Sequence, residues 1–252
     1  MNAEERHKII LELLQASGQV STADLSARFN VSEMTVRRDV VQLEKDGLLR
    51  RTHGGAARAA GSSFEPPFTL RSRLNVEEKK AIAYAVAQEI ADGQTIVLDG
   101  GSTGKAVAEA ILGRDLIVCA LNMRVAEILL SSPNTRVMTP GGWVRHGELS
   151  VSGPPALRTL ADHRFDTYVM TVSGVDTKAG LTEWNVDDAA VKRAALDSSG
   201  RCIVACDSSK FGQTAFSRVA SLRDADLVLT DGGLTSEQLE ALQDAGAELR
   251  VV

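Results

Sequence analysis

Seven mostly apolar runs, at 95–98, 116–121, 136–139, 167–172, 202–206, 226–230 and 249–252, punctuate the last two thirds of the chain. A strand with one wet face alternates apolar and polar residues, whereas continuous Val/Ile/Leu runs mark strands buried on both faces. Helical stretches at 106–112, 124–130, 155–161, 188–196 and 237–245 lie between most of them. Strands alternating with helices predict an α/β domain, a largely parallel sheet covered on both sides. A preceding helix is expected to be capped by Asn75, with Glu78 three residues on, to run through Ile82, Val86 and Ile90, and to stop near Gly93. The 252 residues leave room for a second, smaller domain. No internal repeat or low-complexity tract interrupts the pattern.

The first 58 residues follow a different pattern. Arg6, Ile10 and Leu14 recur at helical spacing, with Leu13 beside them, in a helix that Gly18 ends. Ser21-Thr22-Ala23-Asp24 resembles a capping box with Asp for the usual Glu, and starts a short helix carrying Leu25 and Phe29. Asn30-Val31 turns into a third helix capped by Ser32. In that helix Val36, Val40 and Leu43 share one narrow sector, so Met34 and Arg38 project from the opposite side with Thr35 and Arg37 on the flanks. Adjacent arginines beside small polar residues at a helix N-terminus suit contact with base edges and phosphates. Leu48 to Ala56 then reads as two extended pieces around a Gly54-Gly55 turn, with Arg50, Arg51 and His53 placed for phosphate or minor-groove contact. Three helices and a basic hairpin define an N-terminal winged helix-turn-helix. Ser32, Glu33, Met34, Thr35, Arg37, Arg38, Arg50, Arg51 and His53 are its candidate DNA-contacting residues.

The net charge of −5 does not oppose this reading, because charge is segregated. Basic and acidic side chains nearly balance through Arg58, the basic ones gathering at Arg37-Arg38 and Arg50-Arg51, while the remainder carries the acidic excess. A local basic patch, not the overall sign, is the electrostatic footprint of binding. Cys119, Cys202 and Cys206 sit in strand-like runs without a CxxC pair, which predicts reduced core thiols. The histidines are scattered, so no metal is expected. With no signal segment and no run of membrane-spanning length, a cytoplasmic protein is expected.

The small polar stretch 59–63 and Pro66-Pro67 suit a linker, with Phe64 and Phe68 placed to pin it to a neighbouring domain. The expected organisation is a DNA-binding domain at 1–58, a linker at 59–74 and a ligand-sensing domain at 75–252.

In parallel sheets, ligands settle beyond the carboxyl ends of the strands. The first strand ends in Asp99-Gly100-Gly101-Ser102-Thr103-Gly104-Lys105, glycines and hydroxyls at a helix N-terminus, which suits a phosphate. A nucleotide P-loop is excluded, because Asp99 stands where the first glycine belongs and Ala106 where the Ser/Thr magnesium ligand belongs. Asn122, Gly141-Gly142, Lys192-Arg193 and Asp207 to Gly212 follow other strands or lie in helices between them. Each also has a plain structural reading: Asn122 as a helix cap, Lys192 on a solvated face, Asp207 closing a turn. Together they suit a small polyhydroxylated anion, carboxylates taking hydroxyls while lysine and backbone amides take phosphate.

The N-terminal residues resemble the DeoR family of bacterial sugar-metabolism regulators. Its pattern appears as Arg6, Ile10, Leu14, then Ser32, Thr35, Val36, Arg37, Arg38, Asp39, Val40, and then Arg51-Thr52-His53-Gly54-Gly55-Ala56. The resemblance continues through Asp99, Gly101, Ser102, Thr103, Asn122, Gly141, Gly142, Asp207, Ser209, Lys210, Phe211 and Gly212. It departs at Leu121, where the family usually has Thr, and at Asp187-Asp188-Ala189, where many members have a glutamate shortly before the lysine. The resemblance implies a sensor domain similar to the sugar-phosphate isomerase fold. It also implies an effector site at Asp99, Gly101, Ser102, Thr103, Asn122, Gly141, Gly142, Lys192, Asp207 and Lys210, without a cofactor. The expected function is a regulator, most often a repressor, that binds double-stranded operator DNA as a homo-oligomer (dimer or tetramer) and is released by a phosphorylated sugar or polyol. The alternative is an isomerase-type enzyme with an attached DNA-binding module, its acid or base drawn from Asp99, Asp187, Asp188 or Asp207.

Overall fold

Three capped helices open the chain in the computed structural model, which describes residues 1–45, 48–58, 65–246 and 248–252 in two units, Met1–Pro67 and Phe68–Val252. In the first unit α1 (Ala3–Ser17) is followed by β1 (Gln19–Ser21), α2 (Thr22–Phe29), α3 (Glu33–Lys45), β2 (Leu49–Thr52) and β3 (Gly55–Arg58). Asn2 and Glu5 cap α1 reciprocally at 2.9 Å, and Gly18 closes it in the left-handed conformation. The Ser21 hydroxyl accepts from the Asp24 amide at 3.0 Å and that of Ser32 from the Thr35 amide at 3.2 Å, fixing where α2 and α3 begin. Ile10, Leu14, Leu25, Phe29, Val36, Val40 and Leu43 form the small core. Burying Val36, Val40 and Leu43 contributes roughly 1.5–3 kcal/mol each, which holds α3 with its opposite face outward.

Two local expectations change. The chain reverses at His53-Gly54, because Gly55 already pairs with Thr52 in the hairpin. Gly55 also pairs with Ser21 of β1, a strand the sequence reading missed, in a three-stranded antiparallel sheet of order β1-β3-β2. A Cβ on Gly55 would lie 2.0 Å from the Val20 carbonyl oxygen, so its role is close approach, while Gly54 supplies the positive φ of +87°.

The second unit begins with α4 (Phe68–Arg71) and α5 (Val76–Glu89), then β4 (Thr95–Leu98), α6 (Gly101–Ala110), β5 (Leu116–Ala120), α7 (Met123–Leu129) and β6 (Thr135–Met138). A hairpin of β7 (Trp143–Val144) and β8 (Val151–Ser152) leads to α8 (Pro154–Ala161), β9 (Phe165–Met170), β10 (Gly174–Asp176), β11 (Gly180–Glu183) and α9 (Val186–Asp197). The chain ends with β12 (Ser199–Ala205), β13 (Ser217–Ala220), β14 (Leu227–Thr230), α10 (Ser236–Asp244) and β15 (Leu249–Val251). Seven strands form a parallel sheet of order β15-β14-β12-β9-β4-β5-β6. Successive residues of one strand serve opposite cores. Val97 packs with residues of α8 and α9, whereas Ile96 and Leu98 pack with residues of α5, α6 and α7. Both faces are covered, which is why the apolar runs do not alternate.

The sequence reading missed the β7–β8 hairpin and the small antiparallel sheet β10-β11-β13, whose strands are too short for a clear period. The expected linker spans residues 59–74. Residues 68–74 belong to the second unit, where the Arg124 guanidinium lies 4.0 Å from the Phe68 ring centre. Phe64 and residues 59–63 lie outside the described residues. Asn75 stands at the start of α5, but its side chain makes no cap bond and its φ is +51°. Its amide instead donates to Asp207 Oδ1 at 2.8 Å.

Candidate DNA-binding face and effector site

On α3, Met34, Arg37 and Arg38 are exposed while Val36, Asp39, Val40 and Leu43 are buried. The two arginines differ in what holds them. Arg37 pairs with Glu33 one turn earlier at 3.3 Å, whereas Arg38 has no ion pair or hydrogen bond among the described residues. Thr35 is half-buried, its hydroxyl 3.0 Å from that of Ser32. In the hairpin Arg50 and His53 are exposed, and Arg51 is tied to Glu44 of α3 through its guanidinium Nε and, at 3.0 Å, through its backbone amide. That pair holds the Glu44 carboxyl below the usual carboxylate range, the backbone bond contributing most.

In the second unit, β4 leads through α6 to β5 and β6 on one side, while β9 lies on the other side of β4 and the chain then builds outward in the opposite direction. The carboxyl ends of β4 and β9 therefore form the topological switch point of the sheet, the place where ligands settle in sheets of this kind. Asp99 stands there, nearly buried. Its Oδ1 accepts from the Gly100 amide at 2.7 Å, and its Oδ2 from the Thr171 amide at 3.1 Å, the Thr171 hydroxyl at 3.2 Å, the Tyr168 hydroxyl at 3.3 Å and the Lys192 ammonium. Lys192, buried on α9, also donates to the Thr171 carbonyl at 2.7 Å and lies 3.2 Å from Glu183. Burial alone would lower its pKa, but Asp99 and Glu183 outweigh burial and hold it above the usual lysine value. Lys192 is thus not on a solvated face. It is a cation locked between two carboxylates.

The phosphate-type loop sits beside this pair. Gly101, Ser102 and Thr103 are themselves the first turn of α6, earlier than the expected start at 106, and Gly101 has a φ of +73°. Arg71 of α4 brings its guanidinium NH1 to 3.5 Å from where a Cβ on Gly101 would stand. Arg71 also pairs with Glu148 and lies 5.6 Å from the Trp184 ring centre, with the Lys210 ammonium at the same distance from that ring. Asp207, at the end of β12, accepts from Asn75, from the Ser209 amide at 3.2 Å and from the Ser209 hydroxyl, all on Oδ1. Burial opposes its charge, yet Lys210, Lys79 and those hydrogen bonds hold its pKa below the usual range. Its buried Oδ2 has no hydrogen-bond partner among the described residues, and neither has Asp188 Oδ1, although Asp188 Oδ2 accepts from Arg145 at 2.6 Å.

Three candidates have structural duties here. Asn122 caps α7 by accepting from the Arg124 amide and donates to the Glu148 carbonyl, both at 2.9 Å, so it ties the hairpin loop to the end of β5. Gly141 and Gly142 are exposed and, with φ of +75° and +111°, shape the turn from β6 into the hairpin. Of the acids considered for catalysis, Asp187 is exposed in the first turn of α9 and both Asp99 oxygens are engaged. The sequence reading missed Arg71, Lys79, Arg145, Glu148, Glu183 and Trp184. Lys79 had a legible signal, since it falls three and seven residues before the core residues Ile82 and Val86.

A winged helix-turn-helix joined to an α/β unit with a buried charged cluster at its switch point defines a DNA-binding regulator with a ligand-sensing domain. The chain belongs to the DeoR family of transcription regulators: residues 6–60 match the DeoR-like helix-turn-helix domain and residues 74–232 the DeoR C terminal sensor domain. It is 33% identical to the glycerol-3-phosphate regulon repressor of Escherichia coli (strain K12) over 252 residues, covering 100% of both chains. It is also 33% identical to the HTH-type transcriptional repressor CsqR of the same organism, over 99% of this chain and 95% of that one. Among solved structures, ribose 5-phosphate isomerase from Plasmodium falciparum is similar over 53% of this chain and 52% of its own, at 18% identity and a TM-score of 0.39. The family is one of regulators, so the enzyme alternative falls. Among the described residues no helix is long and apolar enough to cross a membrane.

Proposed function

We propose that this protein represses an operon of sugar or polyol phosphate metabolism and leaves its operator when the phosphorylated compound occupies the sensor. One observation carries the reading. The amides and hydroxyls of Gly101, Ser102 and Thr103 open α6 beside Arg71, whose guanidinium shares the Trp184 ring with Lys210, while Asp188 and Asp207 each keep a buried carboxylate oxygen without a donor among the described residues. Helix amides and cations suit a phosphate, and vacant carboxylate acceptors suit hydroxyl groups. The glycerol-3-phosphate regulon repressor matches along the entire chain, and the transcriptional repressor CsqR along 99% of it. Asp99 and Lys192 brace the switch point, and Asn122 ties the hairpin loop to the end of β5.

The regulator works as a homo-oligomer in the cytoplasm, because one winged module offers few base and phosphate contacts and paired heads read paired half-sites. Release requires that the effector bind the non-operator conformation better, and by linkage operator DNA weakens effector binding by the same factor, typically 5–150-fold. A thermal-shift panel of sugar and polyol phosphates with their unphosphorylated parents, followed by operator-release assays, tests this. Lys210→Ala should stay folded, hold operator DNA and need far more effector to release it. A panel in which no phosphate ester binds, or a Lys210→Ala protein released at wild-type concentrations, would overturn the reading or remove Lys210 from it.

A further inference from the structure

We propose that Arg71 is the phosphate-reading residue of the sensor, and that it exchanges Glu148 for the effector's phosphate, loosening the first helix of the sensor domain. The inference rests on the effector class proposed above and adds a residue to the site. Arg71 is the last residue of α4, the element that follows Pro67. Its guanidinium lies against the first turn of α6 and over Trp184, and the same ring also carries Lys210. Lys79 holds the Arg71 carbonyl at 2.7 Å, and its ammonium is 3.9 Å from the Asp207 oxygen that lacks a donor. The α6 opening, Arg71, Trp184, Lys210 and Asp207 therefore form one contiguous cluster. A planar guanidinium matches phosphate oxygens in a two-pronged geometry that an ammonium cannot reproduce.

In the structure described here a carboxylate holds Arg71. Glu148 Oε2 pairs with its guanidinium, and Glu148 Oε1 accepts from the Phe68 amide at 3.1 Å. One carboxylate thus clasps both ends of α4. A dianionic phosphate at the α6 opening is a stronger acceptor for Arg71 and repels Glu148. Losing the Arg71 pair frees Glu148, and the Phe68 amide loses its acceptor at the point where the chain enters the sensor. Phosphate recognition and loosening of α4 are one event in this arrangement.

The test uses the full chain titrated with inorganic phosphate against chloride at matched ionic strength, read by thermal shift, together with hydrogen exchange of the peptide covering residues 68–74. Wild type should be stabilised by phosphate and exchange that peptide faster when phosphate is bound. Arg71→Gln should weaken phosphate binding roughly ten-fold or more, the range of a lost charged hydrogen bond. Glu148→Gln should tighten it, because the competing charge is gone. Should Arg71→Gln not fold, Glu148→Gln decides: unchanged or weaker phosphate binding there overturns the exchange. Equal phosphate response in wild type and Arg71→Gln overturns the role of Arg71 alone and leaves the proposed function standing. If wild type responds neither to phosphate nor to any phosphate ester, both readings fall.

Discussion

Asp39 accepts a two-pronged ion pair from Arg6, 2.6 Å to Nε and 3.0 Å to NH2, across 33 residues of sequence. The last member of the Arg37-Arg38-Asp39 triplet is therefore turned inward, against α1, while its two neighbours face out. His7 also reaches Asp39 at 3.2 Å. The pair ties α3 to α1, so three consecutive charges divide between scaffold and contact surface.

Breaking the pair should unfold the head before it alters recognition. Asp39→Ala leaves Arg6 buried without its counter-charge, which costs about 3 kcal/mol. Hydrogen exchange of α1 and α3 amides should accelerate in Asp39→Ala, and in Arg6→Ala, with the double variant less than additive. Native-like protection in both single variants would show the pair to be dispensable.

Arg38 should carry more sequence discrimination than Arg37. Glu33 already engages Arg37, and Arg38 lies opposite the buried stripe. A two-pronged arginine–guanine contact contributes roughly 1–3 kcal/mol of discrimination. Competition assays should find Arg38→Ala nearly blind to the difference between operator and random DNA. Arg37→Ala should weaken both together and reduce the salt dependence by about one unit. Equal loss of discrimination in the two variants would refute the assignment.

Lys192 should matter more to stability than a surface lysine. Lys192→Met leaves Asp99 and Glu183, both buried, without their shared cation. Removing one partner of such a cluster costs about 3–5 kcal/mol. The expected result is a lower melting temperature of the sensor domain. Recovery of part of that loss in a Lys192→Met/Asp99→Asn double variant would trace it to carboxylate repulsion, and a wild-type melting temperature in Lys192→Met would contradict the burial argument.

Lys79 gives the domain a specific pH response. Burial pushes its ammonium down to about 8 from an ordinary value of 10.5, Asp207 opposing that shift in part. Between those values the unfolded chain binds the proton and the folded chain does not, so stability rises with pH through that window and the deficit is complete below about 8. The size is about 3 kcal/mol. Melting curves from pH 7.5 to 10.5 should show wild type gaining on Lys79→Met as pH rises. Parallel curves would show that Lys79 titrates normally.

The sequence alone determined the helices of the head, the parallel sheet and the glycine-rich turn after its first strand. Caps at Ser21 and Ser32, the Val36–Val40–Leu43 stripe and the unalternating runs are local signals with local physical causes. Tertiary structure decided what the charged residues do. Arg71, read as linker, reaches the α6 opening because α4 folds back onto the sensor, and Asn75 serves Asp207 rather than its own helix. Lys192 bridges Asp99 and Glu183, and Thr171 reaches Asp99, because β9 lies beside β4, a neighbour relation between strands about 70 residues apart in sequence. Short strands such as β1, β7 and β10 carry too few residues to show a period, and partners on other elements hold them. Periodicity reports which face of an element is buried. It does not report which element covers that face, and for a buried charge the covering element decides whether it braces the fold or waits for a ligand.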